Sequence, residues 1–342
     1  MYTQDKLLLF TTTLLLGLAS SASDSTVQRA SPGSNSETEQ LLKQGEDALA
    51  AGRPEDAAKA FKKAGKLQHD ACFPCYLGLA RAQAKLGDLR GAAGSAEKAL
   101  SSATDDAGRA EGRALKGGIL LAMENAKNLK EAESEYRAAV QLDAGKPEYR
   151  LHLAVSLFKQ SLDAEGKQEV ARYLELAPAG EYAAYARALA ENPRRAREHY
   201  APDFRVTTPQ GDTLTLSKMA GKVVVLDFWA TWCGPCVASV PELKDLTKKY
   251  AREQLVLISI SADSDEQKWR QFIAKKEMTW DQYWDRDERI RNLYNVHAFP
   301  TYIVIDREGI IRERIVGTNP QQSVAYRLKS TLPTLISNKG KS

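Results

Sequence analysis

Cysteine is scarce in this chain, with four among 342 residues, arranged as two pairs of identical spacing, Cys72-Phe73-Pro74-Cys75 and Cys233-Gly234-Pro235-Cys236. Neither pair is followed by the histidine that covalent haem attachment requires, which excludes a c-type cytochrome. An excess of one charge is also lacking: 48 basic against 44 acidic residues leave a net charge of +4. Nothing in that balance points to nucleic acid or to an acidic substrate. Long apolar runs are almost absent. Residues 7–10 and 14–19 flank three threonines and are together too short to span a bilayer comfortably. With the small residues Ala19-Ser20-Ser21-Ala22 behind them, they read as a signal peptide over 1–22, cleaved near Ser21 or Ala22. The alternative is an uncleaved leader that anchors the chain to the outer face of a membrane. No cysteine follows the run to make a bacterial lipoprotein. The mature protein is therefore expected to be exported, in a compartment such as the bacterial periplasm where disulfides persist.

What remains is an ordinary globular composition, 43% hydrophobic and 27% charged, long enough for two domains. Residues 23–37 are rich in Ser, Thr, Asn and Gly and read as a flexible linker. From Thr38 the pattern becomes alanine- and leucine-rich amphipathic helix, and it repeats. Gly45, Gly52, Ala57, Phe61 and Ala64 have counterparts 35 residues later at Ala80, Gly87, Ala92, Ala96 and Ala99. A third unit shows in Ala132, Tyr136 and Ala139, and a degenerate fourth in Leu153, Ala154, Leu157, Val170 and Pro178. The 35-residue period, the small residues and the aromatic fillers resemble tetratricopeptide repeats, in which small side chains let paired helices approach closely. Residues 181–191 then supply a capping helix, giving an all-α repeat array over 38–192.

From 193 to about 340 the pattern alternates between strand and helix. Val223–Trp229 is a nearly continuous apolar run rich in β-branched and aromatic residues, as befits a strand buried on both faces. Helix is expected over about 236–250, strand over 255–260, helix around 266–276, a short strand near 282–284, helix over 288–294, strands at 302–305 and 310–316, and a final helix over 321–332. Such an alternation closing on a hairpin gives an α/β domain with a mixed sheet flanked by helices.

The chemistry lies where the buried strand hands over to a helix, at Trp232-Cys233-Gly234-Pro235-Cys236. A cysteine at a helix start faces unpaired backbone N–H groups and the positive end of the helix dipole, which lower its pKa from about 8.5 toward about 7. Cys233 is thus the expected nucleophile. Cys236, one turn further in, can resolve a mixed disulfide by attacking Cys233. From about Tyr200 to Asn338 the sequence resembles the thioredoxin superfamily, whose Trp-Cys-Gly-Pro-Cys signature is present in full. Among its branches the exported TlpA and ResA reductases are most similar, because 64 residues separate Cys236 from Pro300, leaving room for that branch's extra helix and strand.

The resemblance implies a thioredoxin fold and a protein-disulfide reductase that needs no cofactor beyond its own Cys233–Cys236 disulfide. It implies a cis Pro300 lying against the cysteines, with Phe299, Pro300 and Thr301 offering a docking edge to substrate and Trp232 bordering it. It matches Asp227 to a buried acid with a raised pKa that takes the proton of the second cysteine, although an inert buried acid stays open. The implied partners are disulfide-containing exported proteins, a membrane thiol-electron carrier, and a protein or peptide held by the repeats. Ser239 stands where cytochrome-maturation members often place a glutamate. For Cys72 and Cys75 the sequence leaves two readings, a structural disulfide or a second redox pair. Two other functions compete with the reductase. One is a scaffold with an accessory redoxin domain. The other is a peroxiredoxin-like peroxidase, which lacks the expected Pro and Thr ahead of Cys233, where Leu226 and Ala230 stand. A zinc site would need two ligands beyond Cys233 and Cys236.

Overall fold

A computed structural model describes residues 32–317 and 324–337. The expected signal peptide lies outside these residues. The chain divides into two compact units, Met1–Arg197 and Glu198–Ser342.

The first unit is a succession of helices: α1 (Pro32–Ala50), α2 (Pro54–Leu67), α3 (Phe73–Lys85), α4 (Leu89–Ser102), α5 (Asp106–Ala122), α6 (Ala126–Leu142), α7 (Pro147–Lys159), α8 (Asp163–Leu176) and α9 (Ala183–Glu191). They pack as the pairs α1/α2, α3/α4, α5/α6 and α7/α8, each pair also meeting the next. This arrangement fits tetratricopeptide-like repeats. Helix α1 starts at Pro32, so the stretch expected to be linker up to residue 37 is helical in its last part. Proline suits a first helical turn because its missing N–H has no helical partner to lose there, a signal that the polar composition around it masks.

The turns within the pairs share one backbone device. Gly52 and Gly87 take φ of 69° and 78°, the left-handed conformation that ends a helix at least cost for glycine. Glu124 and Ser161 take φ of 51° and 63° at the corresponding turns of the third and fourth pairs. The conformation persists where glycine does not, which is why the later repeats look degenerate in sequence. Asp88 and Asn125 then cap α4 and α6 by accepting the N–H groups of Gly91 and Asn128.

Small residues set the helix spacing. Phe61 is fully packed between two glycines: a Cβ on Gly45 would lie 2.6 Å from its ring and one on Gly78 2.5 Å. Gly166 receives Phe158 at 2.5 Å in the same way in the fourth pair. Gly78→Ala is expected to lower unfolding stability by about 1–3 kcal/mol, because the ring has no open side to move toward. Chemical denaturation of the full chain reads this, with Gly94→Ala, where an added Cβ meets nothing within 4 Å and helix propensity alone should raise stability by up to about 1 kcal/mol, as the clash-free control. Helix α9 closes the array, burying Ala183, Tyr185, Ala186 and Leu189.

The second unit opens with a hairpin of β1 (Arg205–Thr207) and β2 (Thr213–Thr215). A five-stranded sheet follows, ordered β5-β4-β3-β6-β7, from β3 (Val223–Trp229), β4 (Leu255–Ser261), β5 (Asp281–Trp284), β6 (Thr301–Ile305) and β7 (Ile311–Val316). Pairs β3/β4 and β4/β5 are parallel, and β3/β6 and β6/β7 antiparallel, so the sheet is mixed. Every residue of β3 is buried, as its apolar run requires. Its odd-numbered residues face one core, shared with α10 (Gly234–Lys249), α11 (Glu266–Lys275) and α13 (Val324–Ser337). Its even-numbered residues face a second core with the hairpin and α12 (Arg289–Leu293). This parity decides which side chains can meet the cysteines, because residues two apart on a strand share a face.

Candidate active site

Helix α10 begins immediately after Cys233, which takes its N-cap position with an extended backbone. Pro235 in the first turn has no N–H to satisfy, and the next amide, that of Cys236, donates to Cys233 Sγ at 3.2 Å. The two sulfurs form a disulfide across Cα atoms 5.3 Å apart. Both cysteines are buried, Cys236 with 2% of its surface exposed and Cys233, the outer of the two along the helix, with 6%. Gly234 adds no side chain beside it, and a Cβ there would meet nothing within 4 Å apart from its own chain neighbours.

The loop ahead of Cys233 is held from the neighbouring strand. Buried Asp263 accepts the Thr231 backbone N–H at 3.1 Å and the Thr231 hydroxyl at 2.6 Å, and also the Ser261 hydroxyl at 2.7 Å. These bonds fix the chain two residues before Cys233. Trp232, next in line, is left 67% exposed. Its ring meets Phe299 edge-on with centroids 5.8 Å apart, and the Arg291 guanidinium lies 5.8 Å from the same Phe299 ring.

The Phe299–Pro300 peptide bond is cis. The three residues of the expected docking edge differ in exposure. Phe299 is half-buried, while Pro300 and Thr301 are buried. The Thr301 hydroxyl donates to the Ala298 carbonyl, and the Pro300 carbonyl accepts from the Gly317 N–H. The outward-facing apolar surface beside the disulfide therefore consists of Trp232 and the Phe299 ring. Val316 at the end of β7 pairs with Thr301 and is 57% exposed, a neighbour that its place in a short edge strand does not advertise.

Beneath the helix lies Asp227, on the odd-numbered face of β3 that also meets Cys233 and Cys236. Its cross-strand partners are Ser259 on β4 and Tyr302 on β6. The Ser259 hydroxyl donates to Asp227 Oδ2 at 2.6 Å and accepts from the Trp280 indole N–H at 2.8 Å. Burial pushes the Asp227 carboxyl up from its ordinary value to about 7, with the Ser259 hydrogen bond opposing part of that rise.

The redoxin family profile matches residues 196–329. The thiol-disulfide oxidoreductase ResA of Bacillus cereus is 31% identical over 133 residues, which cover 39% of this chain and 77% of the relative. The chain belongs to the ResA family of thiol-disulfide oxidoreductases. The thioredoxin-like protein YneN of Bacillus subtilis is 34% identical over 131 residues, 37% of this chain and 76% of that protein. Among solved structures, an exposed lipoprotein thioredoxin of Streptococcus pneumoniae is 26% identical and covers 37% of this chain and 98% of its own, with a TM-score of 0.33. The family profile falls almost wholly within the second unit.

The residues around Cys233 and Cys236 sort by what they touch. Cys233, Cys236, Trp232 and Phe299 are near one another at one end of the sheet, and Asp227 lies on the same face below. Ser239 is buried in α10 and donates to the Pro235 carbonyl at 3.1 Å. Ser259, Trp280 and Asp263 complete the surroundings, and no sequence motif singles them out. A fainter signal exists for the first: Ser259 and Ser261 interrupt the apolar run of β4 at alternate positions, on the face that carries Asp227. Cys72 and Cys75 belong to the other unit and form their own disulfide. Among the described residues no group of three His, Cys, Asp or Glu side chains is placed to hold a metal ion. Nor is any described helix long and apolar enough to cross a membrane.

Proposed function

We propose that this enzyme works as an exported protein-disulfide reductase, with Cys233 as nucleophile and Cys236 as resolving thiol. The single observation that carries the reading is the disulfide at the mouth of α10, its outer sulfur capped by the Cys236 N–H. That N–H and the helix dipole stabilise Cys233 as thiolate once the pair is reduced. The thiolate attacks a substrate disulfide and forms a mixed disulfide. Asp227 accepts the Cys236 proton, and the freed Cys236 thiolate attacks Cys233 Sγ and releases the reduced substrate. Its raised pKa suits the carboxylate to that task near neutral pH.

Trp232 and Phe299 are the apolar surface against which an unfolded or extended substrate segment docks, with Val316 at its margin. The leader directs the chain out of the reducing cytosol, and in the oxidising compartment beyond it the reductase needs electrons from a membrane thiol carrier. The helical repeats dock a protein or peptide partner and bring it to the redoxin unit. Gly234-Pro235 between the cysteines is the pairing of reducing thioredoxins, whose potential is about −270 mV. The Cys233/Cys236 couple is expected below about −200 mV, measured in the full chain with Cys72 and Cys75 replaced by serine. A value above about −150 mV would reverse the direction and make the protein an oxidant.

A further inference from the structure

The second Cys-x-Pro-Cys element has the same local structure as the first. Cys72 takes the N-cap of α3 with an extended backbone, as Cys233 does for α10. Pro74 occupies the first turn, and the Cys75 N–H donates to Cys72 Sγ at 3.3 Å, against 3.2 Å at the other pair. The Cα separation is 5.3 Å in both. Exposure is ordered alike, 7% for Cys72 and 0% for Cys75.

As a staple this disulfide has little to hold. It closes a loop of four residues at the start of one helix, whereas the stabilisation from a cross-link grows with the length of chain it closes. It joins no two elements. The start of α3 is already ordered by the Cys72 carbonyl, which accepts the Tyr76 N–H at 3.2 Å, and by packing against Leu41 and Ala64. What the arrangement adds is a sulfur at a helix N-terminus, in the less buried residue of the pair, with a leaving sulfur behind it.

We propose that Cys72 and Cys75 form a second dithiol/disulfide couple, which takes an electron pair from a protein dithiol, the reduced Cys233/Cys236 pair of this enzyme included. A donor thiolate attacks Cys72 Sγ, the Cys72–Cys75 bond breaks, and Cys75 leaves as thiolate and takes up a proton. The donor's second thiolate then attacks the donor sulfur of the mixed disulfide and releases Cys72, stabilised as thiolate by the Cys75 N–H and the α3 dipole. The donor dithiol becomes a disulfide, and two electrons now reside on the repeat unit. The proposal rests on the reductase reading for its source of electrons.

Full-length variants test it. Reduced C72S/C75S protein, carrying only the Cys233/Cys236 dithiol, is mixed anaerobically with oxidised C233S/C236S protein, and thiols on each are labelled and counted by mass spectrometry. Cys72–Cys75 is expected to be reduced at least tenfold faster than by dithiothreitol at the same dithiol concentration. A rate equal to or below that of dithiothreitol overturns the proposal, as does a Cys72–Cys75 bond that stays oxidised. A C72A/C75A variant replaces C72S/C75S as donor should buried serines impair folding. The two readings fail separately. If the donor variant does not reduce insulin, the reductase reading falls; if it reduces insulin but leaves Cys72–Cys75 untouched, only this inference does.

Discussion

Replacing Cys233 by serine will abolish disulfide reductase turnover, with insulin reduction falling at least about a thousandfold, because a hydroxyl at that position is neither thiolate nor leaving group. The redoxin unit supplies no substitute: Cys236 is 2% exposed and lies one turn further into the helix. Cys236→Ser gives a different outcome. Cys233 still attacks, but nothing resolves the product, so a one-to-one mixed disulfide with substrate accumulates and is visible on a non-reducing gel. Cys72 and Cys75 are intact in both variants, so any turnover that persists in Cys233→Ser measures their contribution. Full retention of insulin reduction in Cys233→Ser would remove the active site from this helix and leave the redoxin unit an appendage to a scaffold. The pair of phenotypes is diagnostic, since a merely structural disulfide would give the same loss from either side.

The parts of this site that can be read in the sequence are those fixed by local chemistry. Trp232-Cys233-Gly234-Pro235-Cys236 encodes a turn, a cap and a first helical turn within five residues, and the helix begins at Gly234, two residues ahead of the expected start. The apolar run of β3 announces its central place in the sheet. The hairpin of β1 and β2 leaves little trace, because its strands are three residues each and alternate in burial, giving too short a pattern to register. Asp263 is hidden for another reason. Its value lies in three hydrogen bonds to Thr231 and Ser261, and the Thr231 contact exists only because β4 lies parallel beside β3. Thr301 illustrates a different limit: the resemblance implies that its backbone offers groups to substrate, and the strand register, which the sequence does not announce, turns its side chain inward.

Asp227→Asn will raise stability and lower activity together, and the opposed signs separate its role from that of an inert buried acid. Burial places the Asp227 carboxyl at about 7 in the folded protein, above its ordinary value of 3.8. A group whose folded pKa is raised contributes its full stability below the unfolded value, and loses it as pH climbs through the window from about 4 to about 7. Above that window the buried carboxylate is charged and costs the folded state at most about 4 kcal/mol, since each pH unit across the window is worth about 1.4 kcal/mol. Asparagine carries no charge and escapes this loss. The variant should therefore match wild type in denaturant unfolding near pH 4 and exceed it increasingly toward pH 8. Activity runs the other way, because the amide cannot accept the Cys236 proton: resolution should slow on the order of 100-fold near pH 7. The deficit should shrink above about pH 8.5, where a cysteine thiol ionises without help. Stopped-flow decay of the mixed disulfide across pH reads this step directly. An Asp227→Asn protein that gains stability at high pH but resolves as fast as wild type would show that the carboxylate is a buried burden, with no part in proton transfer.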